Sequence, residues 1–414
     1  MGNVKRPLEG VKVVELATFI AVPAAGRFLA DMGADVVKIE SAKGDNLRWT
    51  APGEGRPLDQ HENTTFDLEN ANKKTITLDM RTEKGQEVLH KLLEGADIFL
   101  TNWRPQALAR KNLTYDDLKE RYPSLVYGNV TGYGEKGPDC DLPGFDYTAF
   151  FARGGWSGTL YQEGTVPGNW IPGLGDHQAA MDLAAGVLAA LYRAKTVGVG
   201  EKVSVNLLHA SIYAQAIMIQ ASQYGTEFGG QEYPIDRREN SNPWLPCAKT
   251  KDGRFMQICT PVYDQYYPAV MKAIGREDLL DDPVLSHVAE LNKAGRTSEM
   301  YDLLQEALST KTAAEWKRIL TEADIPFSVC QTWSEVLVDE QARAVDCFFE
   351  MDYPRGAKTL VRTPVDLETT PLPPYEKAPL LGEDTEDVLK SLGYSDSEIA
   401  DMITASVATQ GDRR

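Results

Sequence analysis

The chain is poor in cysteine: five among 414 residues (Cys140, Cys247, Cys259, Cys330, Cys347), with no C-x-x-C pair. An odd count without paired spacing excludes a disulfide framework and fits reduced thiols of a cytoplasmic protein, expected as structural residues in the interior. Histidine is as sparse. His61, His90, His177, His209 and His287 stand apart, without H-E-x-x-H or H-x₃₋₅-H spacing, so no metal site is expected. Basic residues are outnumbered 43 to 61, a formal charge of −18, which is the wrong sign for nucleic acid or an anionic membrane surface. An anionic small molecule needs only a few local cations and remains open. No apolar run approaches the ~18 residues of a membrane span. The opening MGNVKRPLEGVKVVEL also lacks the apolar core of a signal peptide, so the expectation is a soluble cytoplasmic protein.

Familiar catalytic signatures are missing too. The turn after the first apolar run reads ATFIAVPAAG rather than G-x-G-x-x-G, and G-x-x-x-x-G-K-[ST] is absent, which removes the usual cradles for nicotinamide, flavin and P-loop nucleotides. GGWSG at 154–158 has its serine one place off the hydrolase elbow.

Apolar residues make up 42% and charged residues 25% of the chain, an ordinary globular balance, and the length suggests two or three domains. That much chain builds a large core without disulfides or metals. Up to residue 130, strand-like runs at 11–16, 35–39, 75–78, 97–100 and 125–130 alternate with helical stretches. One helix follows Pro23 and ends before Gly33; another is capped near Thr82; a third starts at Thr114 with Asp117 three residues on. Such alternation implies βαβ units, a mainly parallel sheet, and a ligand crevice at the carboxyl ends of its strands. Glu40, closing the second strand, reads either as a surface carboxylate or as a ribose-binding acid.

Residues 131–175 form a long connection rich in glycine and aromatics, the kind that is more often functional than idle. A helix at 177–195, a strand at 202–205 and a helix to 223 follow. Composition then shifts to Gly, Pro, Asn and charge over 229–246, a domain boundary. A second unit starts at Arg254, is mostly helical over 263–323 and has a strand at 325–331; a proline-rich arm (371–379) and two helices (385–392, 396–406) complete the chain.

Asp176, in PGLGDHQAAMDL, is the carboxylate that stands out. It reads as the N-cap of the helix that follows, satisfying first-turn amides. The same place suits a nucleophile: the positive helix end keeps the carboxylate ionised, the preceding Gly173 and Gly175 admit a bulky substrate, and nearby amides stabilise an oxyanion.

The blocks LEGVKVVELATFIAVPAAGRFLADMGADVVKIE, ENANKKTITLDMRTEKG, TNWRPQALARKNLTYDDL, NVTGYGEKGP and PGLGDHQAAMDLAAGVLAAL resemble the class III CoA-transferases from end to end. ENTTFDLENANKK and LPGFDYTAFFARGGWSGTLYQEGTVP are similar to the 2-hydroxyacyl-CoA branch of that family, the phenyllactate and 2-hydroxyisocaproate CoA-transferases of amino-acid-fermenting anaerobes. The resemblance implies an α/β fold: a Rossmann-like parallel sheet in a large domain (1–225), a smaller inserted α/β domain (226–330), and a C-terminal segment (331–414) returning to the large domain, in an interlaced homodimer. It implies acyl-CoA as substrate, with no permanently bound cofactor, and Asp176 as the catalytic aspartate. It also implies that Ala21, Leu78, Asn102 and Arg110 lie near CoA, although Arg110 also reads as a solvated helix charge and Leu78 as a core residue.

Two departures shape the expectation. The formyl-CoA:oxalate members carry an arginine where this chain has Ser41, so a phosphate contact there falls to Lys43 or Arg48. They carry a glutamine where this chain has Ile20, and their glycine-rich loop in the small domain is absent. An apolar Phe19–Ile20 turn with Phe145, Phe150, Phe151, Trp156 and Trp170 suits a larger apolar acyl group. The glycine-rich stretches 154–158 and 173–175 are candidate lid and oxyanion segments. The related racemases pair their aspartate with a histidine where this chain has Phe145, which cannot shuttle a proton. A racemase-like enzyme and a non-catalytic acyl-CoA-binding protein are the alternatives.

Overall fold

The computed structural model describes residues 5–225 and 231–414. Its contacts divide the chain into two compact units, one of Met1–Gly154, Trp170–Ala214 and Glu340–Arg414, the other of Gly155–Asn169 and Gln215–Asp339. The divisions fall at 214/215 and 339/340 rather than at 225/226 and 330/331. Residue 226 itself lies outside the described residues.

In the first unit the alternation read from the sequence becomes β1 (Lys12–Leu16), α1 (Ala21–Asp31), β2 (Asp35–Glu40), α2 (Thr64–Asn70), β3 (Lys74–Thr77), α3 (Glu83–Glu94), β4 (Ile98–Thr101), α4 (Pro105–Ala109), α5 (Tyr115–Leu118) and β5 (Val126–Thr131). Thr82 caps α3, its side chain accepting from the Gly85 amide, and Thr114 and Asp117 form a reciprocal capping box on α5. A π-helix covers Asp146–Ala152, and a one-turn α6 (Trp156–Thr159) belongs to the other unit. Then come α7 (Leu174–Val197), β6 (Lys202–Asn206) and α8 (Leu207–Ala214).

All six strands run parallel in the order β3-β2-β1-β4-β5-β6. Helix α7 buries a small-residue face, Ala179, Ala180, Leu183, Ala184 and Val187. Gly186 lets it lie close on β6, because a Cβ there would stand 2.6 Å from Val203 Cγ1.

The second unit carries α9 (Ala216–Ala221), a three-stranded antiparallel sheet of β7 (Ala248–Lys249), β8 (Phe255–Ile258) and β9 (Phe327–Val329), and helices α10 (Tyr263–Ala273), α11 (Val288–Lys293), α12 (Thr297–Leu308), α13 (Ala313–Glu322) and α14 (Trp333–Val336). Its core is a separate cluster around Trp244, which stacks on Tyr263 at 4.1 Å, and Trp316.

The chain returns to the first unit through α15 (Glu340–Ala344) and an antiparallel hairpin, β10 (Phe348–Met351) and β11 (Lys358–Val361), absent from the sequence reading. Helices α16 (Thr385–Ser391) and α17 (Asp396–Thr404) then dock beside β3. Asp384 exchanges hydrogen bonds with Thr75, and Thr77 does the same with Thr409, fixing this segment against the sheet edge.

Several expectations change. Glu40 is neither a surface carboxylate nor free for a ribose: it is buried, with both oxygens bound by Arg48 at 2.8 and 2.7 Å. Arg48 is thereby consumed inside the fold and cannot serve a phosphate. None of the five cysteines is buried, because each sits on a loop or strand end rather than a core face. Phe150 and Phe151 belong to the π-helix and are buried rather than lining a ligand cleft.

Candidate active site

The sheet order reverses around β1, which is hydrogen-bonded to β2 on one side and β4 on the other, so the chain leaves the two central strands in opposite directions and opens a crevice at their carboxyl ends. A cleft of about 220 Å³ lies there. It is lined by residues 18–21 after β1, 102–105 after β4, 130–132 at the end of β5, Cys140, residues 142–145, Leu207 and Asp176.

Buried ion pairs hold the turn after β1. Lys38 reaches Glu15 at 3.0 Å, Asp45 at 2.9 Å and the Ala17 carbonyl at 2.9 Å. Lys73 reaches the other Glu15 oxygen at 2.8 Å. Asp45 also accepts from the Phe19 amide at 2.9 Å. Charges balance across the cluster, with Glu15, Glu40 and Asp45 against Lys38, Lys73 and Arg48. Burial opposes the charged form of Glu40, but the Arg48 guanidinium outweighs it and holds the carboxyl down at about 2. Burial pushes Lys73 down to about 8.

Asn102 completes the clamp. Its Oδ1 accepts from the Thr18 amide at 3.0 Å and its Nδ2 donates to the Thr18 carbonyl at 2.7 Å. Phe19 is held at φ +63°, in the left-handed region that costs a non-glycine residue about 1–2 kcal/mol. Strain of that kind persists where the surroundings over-determine it. Its ring meets Phe145 edge to face at 5.5 Å. Ala21 opens α1, and no side chain caps that helix, so its first amides remain available beside the cleft.

Asp176 comes from another part of the chain. Helix α7 begins at Leu174 with Gly173 as its N-cap, at φ +88°, so Asp176 lies within the first turn and is not the cap. No side chain caps the helix; Asp146 instead holds the N-cap residue, its Oδ2 accepting from the Gly173 amide at 2.7 Å and its Oδ1 from the Tyr147 amide at 2.8 Å. Gly175 is obligatory here, because a Cβ would stand 2.6 Å from Phe150 Cγ.

Among the described residues the Asp176 side chain makes no hydrogen bond or ion pair. Burial, then the neighbouring Asp146 charge, push its pKa up to about 7, with Glu69 adding to the rise and His177 opposing it. The helix end therefore does not hold the Asp176 pKa at its ordinary carboxylate value, contrary to expectation. His177 turns to the buried Glu69, Nε2 to Oε1 at 2.9 Å. Burial alone would lower the imidazole's pKa, and the Glu69 carboxylate more than offsets it.

Of the residues singled out in the sequence, Ala21, Asn102 and Asp176 share the cleft, with Phe19, Ile20 and Phe145. Leu78 is buried in the core, its amide bonded to the Glu40 carbonyl. Lys43 and Arg110 are exposed, Arg110 at the end of α4. Trp170 stacks on Phe151 at 4.9 Å and lies outside the cleft lining. Asp146 and Glu69 were missed. The only available signal was an acid placed 27 residues before Gly173 and another in a polar helix, which singles out neither. Charged residues inside the apolar strands KVVEL and DVVKIE were a signal for the buried pairs that the sequence reading left unused.

A family model described as CoA-transferase family III matches residues 8–385. The chain is 55% identical over 403 residues to cinnamoyl-CoA:phenyllactate CoA-transferase of Clostridium sporogenes, covering 97% of each chain. It is 42% identical over 393 residues to (R)-2-hydroxy-4-methylpentanoate CoA-transferase of Clostridioides difficile, covering 95% of this chain and 97% of that one. Among solved structures, Rv3272 of Mycobacterium tuberculosis superposes with a TM-score of 0.80 at 26% identity, covering 93% of this chain and all of that one.

Proposed function

Because the chain belongs to CoA-transferase family III, we propose that Asp176 carries coenzyme A from an acyl-CoA to a 2-hydroxy acid bearing an aromatic or branched side chain. The enzyme is a CoA-transferase, and an aspartyl intermediate is general to its family. The observation that carries the assignment of the nucleophile is an uncommitted carboxylate at the switch-point cleft, preceded in sequence by Gly173 and Gly175.

The Asp176 carboxylate attacks the thioester carbonyl, forming a mixed anhydride and releasing CoA thiolate. The thiolate attacks the Asp176 carbonyl, giving an aspartyl-CoA thioester and freeing the donor acid. The acceptor carboxylate attacks that thioester, and the thiolate released returns to the acceptor's acyl carbon, restoring Asp176. A carboxylate is a weak nucleophile and a better leaving group than the thiolate it must displace, so the tetrahedral oxyanions need preorganised donors. The uncapped amides at the start of α1 are the donors we assign. The anhydride demands exclusion of water, which the apolar Phe19, Ile20, Leu142 and Phe145 wall favours.

In the same reading Lys43 and Arg110 are the exposed cations that meet CoA phosphates, Ala21 borders the thioester and Asn102 positions the turn. Leu78 shapes the floor from below. The acceptor class is supported by the apolar wall and by the two 2-hydroxyacid-specific relatives. Exposed Tyr192, Val197 and Tyr213 on α7 and α8 favour a second copy of the chain as partner, in a homodimer. The cytoplasm is the compartment that fits accessible free thiols. No helix among the described residues is long and apolar enough to cross a membrane.

The test is incubation with cinnamoyl-CoA and phenyllactate, with CoA exchange followed by mass. Exchange in the wild type, its loss in Asp176→Ala with CoA still bound, and hydroxylamine trapping at Asp176 are the expected results. Full exchange by Asp176→Ala removes the nucleophile, and α-deuterium wash-in to a 2-methylacyl-CoA without CoA transfer supports a racemase instead.

A further inference from the structure

We infer that Cys247 and Cys330 form a dithiol site in the second unit, which a low-molecular-weight disulfide converts to an intramolecular bridge. The two Sγ atoms stand 3.6 Å apart although 83 residues separate them in sequence. That is van der Waals contact, and a disulfide needs a closing movement of about 1.5 Å.

Both backbones are already pinned. The Cys330 amide donates to the Phe255 carbonyl at 2.8 Å, continuing the pairing of β9 with β8, and its carbonyl accepts from Arg254 Nη2 at 3.0 Å. The Cys247 carbonyl accepts from Tyr301 Oη at 3.1 Å, and the next residue, Ala248, pairs with Met256 of β8. Side-chain rotation therefore supplies the closure, with the sheet left as it is.

Packing does not explain the pair. Cys330 is exposed, Cys247 is half-buried, and neither belongs to the apolar core of its unit. Cys330 also lines an open groove of about 520 Å³ with Arg254, Phe255 and Glu335, wide enough for a small disulfide to reach its sulfur. The two thiols differ. Burial and the contact with Cys330 push Cys247 up to about 11, so Cys247 keeps its proton and the accessible Cys330 is the entry thiol.

The chemistry balances. Cys330 thiolate attacks one sulfur of the small disulfide, forming a mixed disulfide and expelling one small thiolate. Cys247 gives up its proton and attacks the Cys330 sulfur, expelling the second. Two protein thiols are oxidised and one small disulfide is reduced to two thiols, which take up the two protons.

The experiment treats the full-length protein with oxidised glutathione, then denatures it in an alkylating agent. Expected are a fall in free thiols from five to three, an intact mass lower by two hydrogens, and a non-reduced peptide joining Cys247 to Cys330. Cys247→Ser, checked for native circular dichroism, stops at one glutathionyl group on Cys330, whereas Cys259→Ser bridges like the wild type. The inference is overturned if all five thiols survive, if the wild type also stops at the mixed disulfide, or if the bridge joins other cysteines or two chains.

Discussion

Replacing the nucleophile should make the protein more stable, and the gain should depend on pH. Asp176 titrates near 3.8 when exposed and near 7 in the cleft. The native state therefore holds a proton that the unfolded chain has lost over that interval, and ionising Asp176 weakens the fold progressively from about pH 4 to about pH 7. Above that the penalty is constant. At 1.36 kcal/mol per pH unit the interval amounts to about 4 kcal/mol. Solvent reaching the half-buried carboxylate screens this to roughly 1–2 kcal/mol. Asp176→Asn keeps the shape and cannot ionise, so it escapes the penalty. Thermal melts of ligand-free wild type and Asp176→Asn should nearly coincide at pH 4 and separate as pH rises, with the variant melting higher at pH 8 and the gap level beyond about pH 7. Equal melting temperatures throughout, or a less stable variant at pH 8, would refute the claim that the cleft holds a destabilised, uncommitted carboxylate.

The same ionisation governs rate: aspartyl-CoA formation measured by rapid quench should rise with pH through a limb near 7, and Asp146→Asn, which removes a neighbouring negative charge, should move that limb to lower pH. Phe19→Gly relieves the left-handed backbone while removing the aryl wall. Its stability should stay within about 1 kcal/mol of wild type, because glycine's greater unfolded-state freedom offsets the relief, while preference for phenyllactate over 2-hydroxy-4-methylpentanoate in kcat/KM drops roughly 3- to 10-fold. Glu40→Gln strands the buried Arg48 charge and should cost about 3–5 kcal/mol. The wild-type contribution of Glu40 is full above its unfolded value near 4.5 and lost as pH falls toward about 2, which acid-denaturation curves of the two proteins would show. Arg110→Ala should raise KM for acyl-CoA about tenfold with kcat unchanged, since one exposed cation on a chain of net charge −18 works against the global field; an unchanged KM would return Arg110 to a solvated helix charge.

The sheet was legible because each strand is a short apolar run bounded by turn residues, and periodicity reports local structure faithfully. Order within the sheet is a different kind of fact. It depends on which strand a crossover returns to, so the crevice between β1 and β4 could be expected in general but not assigned to residues 18–21 and 102–105. Asp176 was legible through its glycines and the family resemblance, yet its local role was misread: the helix opens at Gly173, whose amide is taken by Asp146, 27 residues earlier, and Asp176 falls inside the first turn. That placement has a chemical consequence. A capping Asp176 would have spent its oxygens on first-turn amides, lowering its pKa and blunting its attack. With Asp146 as the acceptor, Asp176 is left unpaired beside a like charge, a poor arrangement for stability and a good one for a carboxylate that must bond covalently to a thioester carbon. The fold supports that liability with a buried, charge-balanced cluster under the neighbouring turn, where every cation meets a carboxylate within 3.0 Å. Weakening the cluster should therefore loosen the turn that faces Asp176 before it alters Asp176 itself.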